Sequence, residues 1–574
     1  MQGWFSEALW RTDVYAPFNG RVLENYYSLA FFYGCNAPWN IYHGDVQILK
    51  QLDLVLNYVF GLMREDGAIP EYNIAALDRP MLASSSFGAM YMSFTLEVAG
   101  KTMPAAMAKE LYKHSLSAAR FALSDEHCYL HATSFSNQIL GAMTAAAKLA
   151  RLNNDAAPLS LLNRAGEALL GEFMSPTNMG FLYEQDGADT FSYFLTTLWC
   201  LTALYQEWPD ERVLEVLRRH GAWMSRWILP EPDGKTMLIS TGHQTRSPGG
   251  HRLPNREYNG LGKIMQSLLS GQTGDEDERR FLALLLLNKE KVAKQDRLWE
   301  AAALNPLRSV ATERNKATGS AYKPVNPLLL YPRYAPAKTM QKEIMRTLPC
   351  LEQQTGAENL VDKRGNQYIF VRQPGYYMGF AYQAHWSQAH EGPQFLWLDK
   401  LGTIALSANC GRGGWETVIG EIGTSRENMM AHMRKCDVDA HEITVKYSKI
   451  AQVEKTYTLR PGSVNVGLYA PWTGGRKLSE RIPFLLHKTD TIHVDYGCAP
   501  TPCIEFRTIT RTVAIERKGM QALSLELPSP ILVSFKPIVC DDNYIKTMVS
   551  FEFPGIIFNR TGYRLLIGTE QNNN

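Results

Sequence analysis

VQILKQLDLVLNYVFGLM, residues 46–63, repeats its apolar side chains at three- and four-residue steps through Leu49, Leu52, Val55, Leu56, Val59 and Met63. That period predicts a helix with one buried face. Working outward, the same period returns in 87–98, 105–123, 137–152, 159–174, 191–208, 211–229 and 261–270. These segments come in pairs, and each pair is followed by a polar loop: REDGAIPEY (64–72), SDEHCYLHATSFSN (124–137), SPTNMGFLYEQDGADT (175–190) and a long run beginning EPDGK at 231. Loop starts lie roughly 50 to 60 residues apart, the spacing of a helical-hairpin array. A hairpin cannot bury its apolar stripe alone, so hairpins must stack on into an open solenoid or close into a ring. Long, uneven, aromatic-rich loops favour the ring, because a plain scaffold has little use for them.

Around 305–336 the composition shifts to proline and tyrosine, as in NPLLLYPRYAP (326–336), which reads as a linker. Beyond about residue 360 short segments alternate with period two, among them QYIFVRQ (367–373), YYMGFAYQ (376–383), QFLWLD (394–399), HEITVKYS (441–448), VEKTYTLR (453–460), ALSLEL (522–527) and YRLLIG (563–568). So many short strands without intervening helices predict a large antiparallel sandwich. The expected fold is α+β and multidomain, with an N-terminal α/α toroid over 1–310, a linker over 311–355 and an antiparallel β-sandwich over 356–574.

A chain of 574 residues with 59 Lys and Arg against 57 Asp and Glu has no general electrostatic grip on nucleic acid, so an anionic ligand must be met locally. Nine cysteines in neither zinc-site nor disulfide-framework spacing favour a reduced compartment. No sustained apolar run opens the chain, so no membrane partner is expected. The location reads as cytoplasmic as the sequence stands, or periplasmic or secreted if a leader has been removed. HExxH, P-loop, EF-hand and GxSxG patterns are absent, so neither a metal nor another cofactor is expected.

Chemistry-bearing residues concentrate in the connections. APWNIYHGD (37–45) offers Trp39, Asn40 and His43 as a sugar subsite, a flat ring face with polar neighbours for hydroxyls, while Asp45 reads as a helix cap. HATSFSNQ (131–138) places His131, Asn137 and Gln138 where a helix begins; Ser136 or Asn137 could cap that helix, or the amides could meet a carboxylate at the positive end of its dipole. GFLYEQDGADTFSYF (180–194) gathers Tyr183, Glu184, Asp186, Asp189 and Tyr193, with Asp186-Gly187 read as a turn and Asp189 as a cap. STGHQTRSPGGHRLPNREYNG (240–260) supplies His243, Arg246, Arg256, Glu257 and Tyr258 in a glycine- and proline-shaped loop, the leading catalytic segment. In the strand half, His385 and His390 flank a loop with Trp386 and Glu391, a surface expected to face the helical cleft.

Taken together, PWNIYHGD, REDGAIPEY, SNQ opening a helix, YEQDGAD before the next and EGPQFLWLDKLGT (391–403) in the strand half resemble the heparinase II/III-like group of polysaccharide lyases. The resemblance is diffuse but spans most of the chain. It implies β-elimination at a uronic acid, which needs a neutraliser of the carboxylate, a base for the C5 proton and an acid for the leaving oxygen. Under it, Asn137 and Gln138, with His131, would neutralise; His243 or Tyr258 would be the base; Tyr258 or Tyr193 would be the acid; and Arg246 and Arg256 would bind neighbouring anionic groups. The implied partner is a uronic-acid-containing oligo- or polysaccharide, and homo-oligomerisation is left open. Two alternatives stand beside this reading. An exo-acting uronidase would use two carboxylates from among Glu71, Glu184, Asp186, Asp189 and Glu257. A non-catalytic glycan-binding protein would use the same loops without chemistry.

Overall fold

The computed structural model describes residues 24, 26–36, 40–70, 82–124, 129, 135–184, 187–190, 192–233, 237–240, 242, 346, 348–382, 390–408, 413–423, 429–437, 441–449, 452–473, 475–495, 497–498, 504–540, 543–553 and 560–568. Among these, the helices are α1 (Tyr26–Gly34), α2 (Val46–Leu62), α3 (Leu82–Ala99), α4 (Ala105–Ser124), α5 (Ser136–Asn153), α6 (Ala156–Gly171), α7 (Ser192–Glu207) and α8 (Glu211–Ser225). The segment 261–270, expected to be helical, lies outside the described residues.

The eight helices form two layers. Helices α1, α3, α5 and α7 pack side by side in that order, while α2, α4, α6 and α8 pack behind them. Sequence explains the split. Helix α1, YYSLAFFYG, buries every residue from Tyr26 to Tyr33, and α3 is apolar or small around its whole circumference, so both suit an interior layer. Helix α2 buries only Ile48, Leu52, Val55, Leu56 and Val59, one stripe of an amphipathic helix. Helix α1 was not expected from the sequence, because a segment apolar on all sides carries no period.

The inner helices run parallel. Near the start of α3 and α5, Gly141 sits against Phe87, while near their ends Lys148 meets Glu97 at 2.5 Å. Lys148 also meets Glu207, the last residue of α7, at 2.8 Å, and Arg151 pairs with both carboxylates. This brace holds the C-terminal ends of three inner helices together. Burial opposes the charge on Glu207, but Lys148 and Arg151 outweigh it and hold the carboxyl below its ordinary range. Parallel inner helices put the N-termini of α3, α5 and α7 at the opposite end, so their dipoles are positive there.

Strands of the C-terminal half pair antiparallel throughout. A first meander runs through Gly356–Val361, Gln367–Gln373, Tyr376–Tyr382, Gly392–Leu398 and Gly402–Leu406. A second runs through Met429–Asp437, Glu442–Lys449, Gln452–Arg460 and Ser463–Trp472 and continues onto Arg560–Ile567. The strand Leu478–His487 touches Gly402–Leu406 and pairs with Tyr544–Phe553, which pairs with Met520–Cys540 and through it reaches Arg560–Ile567, joining the two systems. From Gln367 onward the strands of the first meander are buried on both faces. Tyr368, Phe370, Tyr377, Phe395 and Trp397 enter the core shared with the helices, whereas Ile369, Val371, Met378, Phe380 and Leu396 enter a second core shared with the second meander. Alternation along each strand directs side chains to one or other core. Leu348 and Cys350, at the end of the expected linker, are buried in the helical core.

Lys455, Arg517 and Lys546 are buried cations of the strand half. Arg517, fully buried, donates to the carbonyls of Leu401, Thr403 and Leu485 and pairs with the equally buried Asp490 at 2.8 Å. Lys546 is buried, and burial alone pushes its ammonium down to about 7. In the unfolded chain a lysine titrates near ~10.4. Between these values the unfolded chain binds the extra proton, so stability rises with pH across that window, by up to about 1.4 kcal/mol per unit from this group. Below pH 7 the penalty is complete. Lys546→Met should therefore be more stable than wild type in urea unfolding at neutral pH, with an advantage that shrinks towards about pH 10. A pH-independent difference would refute this reading.

Candidate active site

Hairpin topology sorts the connections. A link from an outer helix to the next inner one falls at the end where the inner helices begin, and that end packs on the first meander. There Ala188 N–H donates to the Tyr368 hydroxyl at 3.1 Å, Lys363 donates to the carbonyls of Gly171 and Glu172, and Trp397 Nε1 donates to the Pro230 carbonyl at 2.8 Å.

At this end α5 begins with Ser136, Asn137 and Gln138. Its N-cap residue, Phe135, makes no side-chain cap hydrogen bond. Ser136 Oγ instead donates to the Tyr183 carbonyl at 2.6 Å, and Phe135 forms a β-bridge with Glu184. Asn137, 2% exposed, donates through Nδ2 to Glu184 Oε2 at 2.7 Å, and Glu184 is itself 2% exposed. Glu184 and Gly187 exchange two backbone hydrogen bonds, which hold the main chain that carries the carboxylate. Gln138 is 5% exposed, and its Oε1 is buried without a hydrogen-bond partner among the described residues. Buried side-chain acceptors are normally satisfied, so this amide stands out. Tyr183 packs against Phe181; burial first, then the Asp362 charge, pushes its hydroxyl pKa up.

A second set of contacts ties this corner to the strands. Asp189 Oδ1 accepts the Tyr193 N–H at 3.0 Å and so caps the first turn of α7, the role expected of it. Thr190 Oγ1 donates to the Ser240 carbonyl at 2.9 Å, Ser240 Oγ donates to the Ser407 carbonyl at 3.1 Å, and His390 N–H donates to the Gly242 carbonyl at 3.1 Å. Gln394 Nε2 holds the carbonyls of His390 and Gly392 at 2.9 and 3.1 Å. Gly242 and Gly414 allow close approach of side chains here. A Cβ on Gly242 would stand 2.0 Å from Gln394 Oε1, and one on Gly414 would stand 2.3 Å from His390 Nδ1. His390 is buried here, and the segment leading into His243 is fastened beside it.

Asn137, Gln138, Tyr183, Glu184, Asp189, Tyr193 and His390 thus gather at one end of the helical layer. Asn40 and His43 do not join them. Their loop links the C-terminus of inner helix α1 to outer helix α2, which places it at the far end, where Tyr33 donates to the Thr102 carbonyl. Asn40 Nδ2 is committed to the carbonyls of Phe32 and Cys35, which closes the end of α1, while Asp45 caps α2 through the N–H groups of Gln47 and Ile48. Trp39, Glu71, His131, Asp186, His243, Arg246, Arg256, Glu257, Tyr258 and His385 lie outside the described residues. Sequence reasoning missed Ser240, Tyr368 and Gln394, which fasten the corner; a lone Ser, Tyr or Gln in a loop or strand carries no signal. Among the described residues there is no cluster of three His, Cys, Asp or Glu that could hold a metal ion, and no helix is long and apolar enough to cross a membrane.

No family model matches the sequence, and no curated protein matches it. Solved structures do. A Paenibacillus xanthan lyase is similar with a TM-score of 0.54 at 10% identity, over 96% of this chain and 54% of that one. A Streptomyces coelicolor A3 chondroitin AC lyase, solved with chondroitin sulphate, is similar with a TM-score of 0.54 at 11% identity, over 96% of this chain and 75% of that one. This chain spans about half the length of the xanthan lyase. Its fold is therefore that of solved polysaccharide lyases, the broader group that its sequence motifs resemble.

Proposed function

We propose that this chain is a polysaccharide lyase that cleaves a uronic-acid-containing glycan by β-elimination, in a cleft where helices closed into a toroid meet a β-sandwich. The observation that carries the reading is the pair Asn137 and Gln138 at the start of α5, a buried amide pair on a helix N-terminus whose N-cap residue, Phe135, supplies no side-chain cap. Such a place suits a carboxylate, since amide donors and the positive helix end both favour it. Neutralising the uronate lowers the cost of removing the C5 proton, and the stabilisation grows as negative charge spreads onto the carboxylate. His243 or Tyr258 takes the proton. Tyr258 or Tyr193 returns one to the leaving oxygen, and Arg246 and Arg256 hold neighbouring anionic groups. Hydrolysis would need two facing carboxylates. One Glu184 oxygen is occupied by the Asn137 amide, which argues for an orienting role over a proton-donating one.

The test is product analysis with a panel of uronic-acid glycans. An unsaturated uronide, seen by its ultraviolet absorbance and by products whose masses sum to the substrate, is expected. Products carrying one added water per cut and no such absorbance would replace this reading with the uronidase, and binding without cleavage would leave a glycan-binding protein.

A further inference from the structure

We propose that Glu184 is a positioning residue that sets the orientation of the Asn137 amide, an inference that rests on Asn137 being the uronate neutraliser. An asparagine amide has a donor edge and an acceptor edge, and turning it over exchanges them. If Asn137 turned over, its Oδ1 would face a carboxylate oxygen at the 2.7 Å now spanned by a hydrogen bond, two acceptors in contact. Glu184 thus permits one orientation only. In it, one N–H of the amide is bound to Glu184 and the second is directed elsewhere, as a neutraliser of a carboxylate requires.

The carboxylate can impose this choice because the backbone that carries it is held. Glu184 is pinned by the bridge to Phe135 and by the paired bonds to Gly187, while Ser136 fastens the start of α5 to the Tyr183 carbonyl. Both partners are almost wholly buried, so solvent does not screen the interaction. With Glu184 ionised, its hydrogen bond from Asn137 is about twice as strong as one between neutral groups.

Glu184→Gln is the probing change, because glutamine keeps the shape and can accept or donate, so it no longer dictates the orientation of Asn137. The expected result is a fall of roughly tenfold in turnover, KM changing less, an unfolding midpoint close to wild type and the same unsaturated product. The decisive comparison is a double-mutant cycle with Asn137→Ala. If Glu184 acts through Asn137, Glu184→Gln costs nothing further once Asn137 is alanine. An equal cost in both backgrounds would overturn the proposal, as would full turnover in Glu184→Gln. Glu184→Asp, which keeps the charge but withdraws the acceptor by one methylene, should behave like Glu184→Gln; wild-type turnover in it would also count against the proposal. Failure of the lyase reading shows separately, as absence of unsaturated product from the wild-type enzyme. The same cycle is then read on calorimetric glycan affinity, where additive losses refute the coupling.

Discussion

Asn137→Ala should lose about two to three decades of turnover and bind glycan more weakly, while remaining folded. The size follows from deleting one preorganised donor at a point where negative charge develops, which typically costs on the order of 10²–10³ in rate. Both parameters fall because the amide meets the carboxylate in the ground state and meets it more strongly as the C5 proton leaves. The variant also removes a donor from buried Glu184, so thermal unfolding must be followed alongside the ultraviolet assay. Asn137→Asp supplies the control, since it keeps the shape but sets a second carboxyl against Glu184, and its activity should fall at least as far. Near-wild-type turnover in folded Asn137→Ala would remove Asn137 from the mechanism.

Arg517→Met should lower the unfolding free energy by about 3–5 kcal/mol, the usual cost of removing one partner from a buried ion pair. Three backbone carbonyls lose their donor at once, and Asp490 keeps its charge inside the core with the His487 N–H still bound at 2.8 Å. Arg517→Lys should recover only part, because a single ammonium cannot span the planar fork of contacts. Replacing both partners, Arg517→Met with Asp490→Leu, should restore much of the loss, since the unpaired charge is then gone. Denaturant unfolding measures all three. A loss below about 1 kcal/mol in Arg517→Met would mean that the pair behaves like a surface bridge.

The fold was legible where period and burial coincide. The run 46–63 became α2 (Val46–Leu62), and QYIFVRQ became the strand Gln367–Gln373 residue for residue. It was illegible where burial is total or where proline intervenes. YYSLAFFYG has no polar face to betray a period. LSERIPFLLH (478–487) forms a strand despite Pro483, which stands opposite Met548, and Pro528, Pro530 and Pro537 all fall within the one strand Met520–Cys540. A rule that confines proline to strand edges passes over the first and cuts the second into pieces, of which ALSLEL (522–527) reads as a strand.

The candidate site divides in the same way. Local chemistry marked Asn137, Gln138, Glu184 and His390, and the structure sets them at the helix–strand junction. Reading Ser136 or Asn137 as a possible cap did not foresee that Ser136 turns to the Tyr183 carbonyl and Asn137 to Glu184. Grouping Asn40 and His43 with them failed for a topological reason. Loops of an α-hairpin array alternate between its two ends, and composition does not tell which end a loop occupies.

Trp223 and Trp227 stack edgewise on Tyr368 and Phe370, and Tyr377 donates to the Arg226 carbonyl, so the wall between helices and strands is an aromatic interior belonging to both. The change from helix to strand therefore falls inside one packed wall, and the two halves are expected to fold together. A gene truncated after α8 would encode a helical half with its indoles facing water and would yield aggregate in place of a small soluble enzyme. Recombination between relatives should then succeed only when crossover points keep the helical end and the first meander from the same parent.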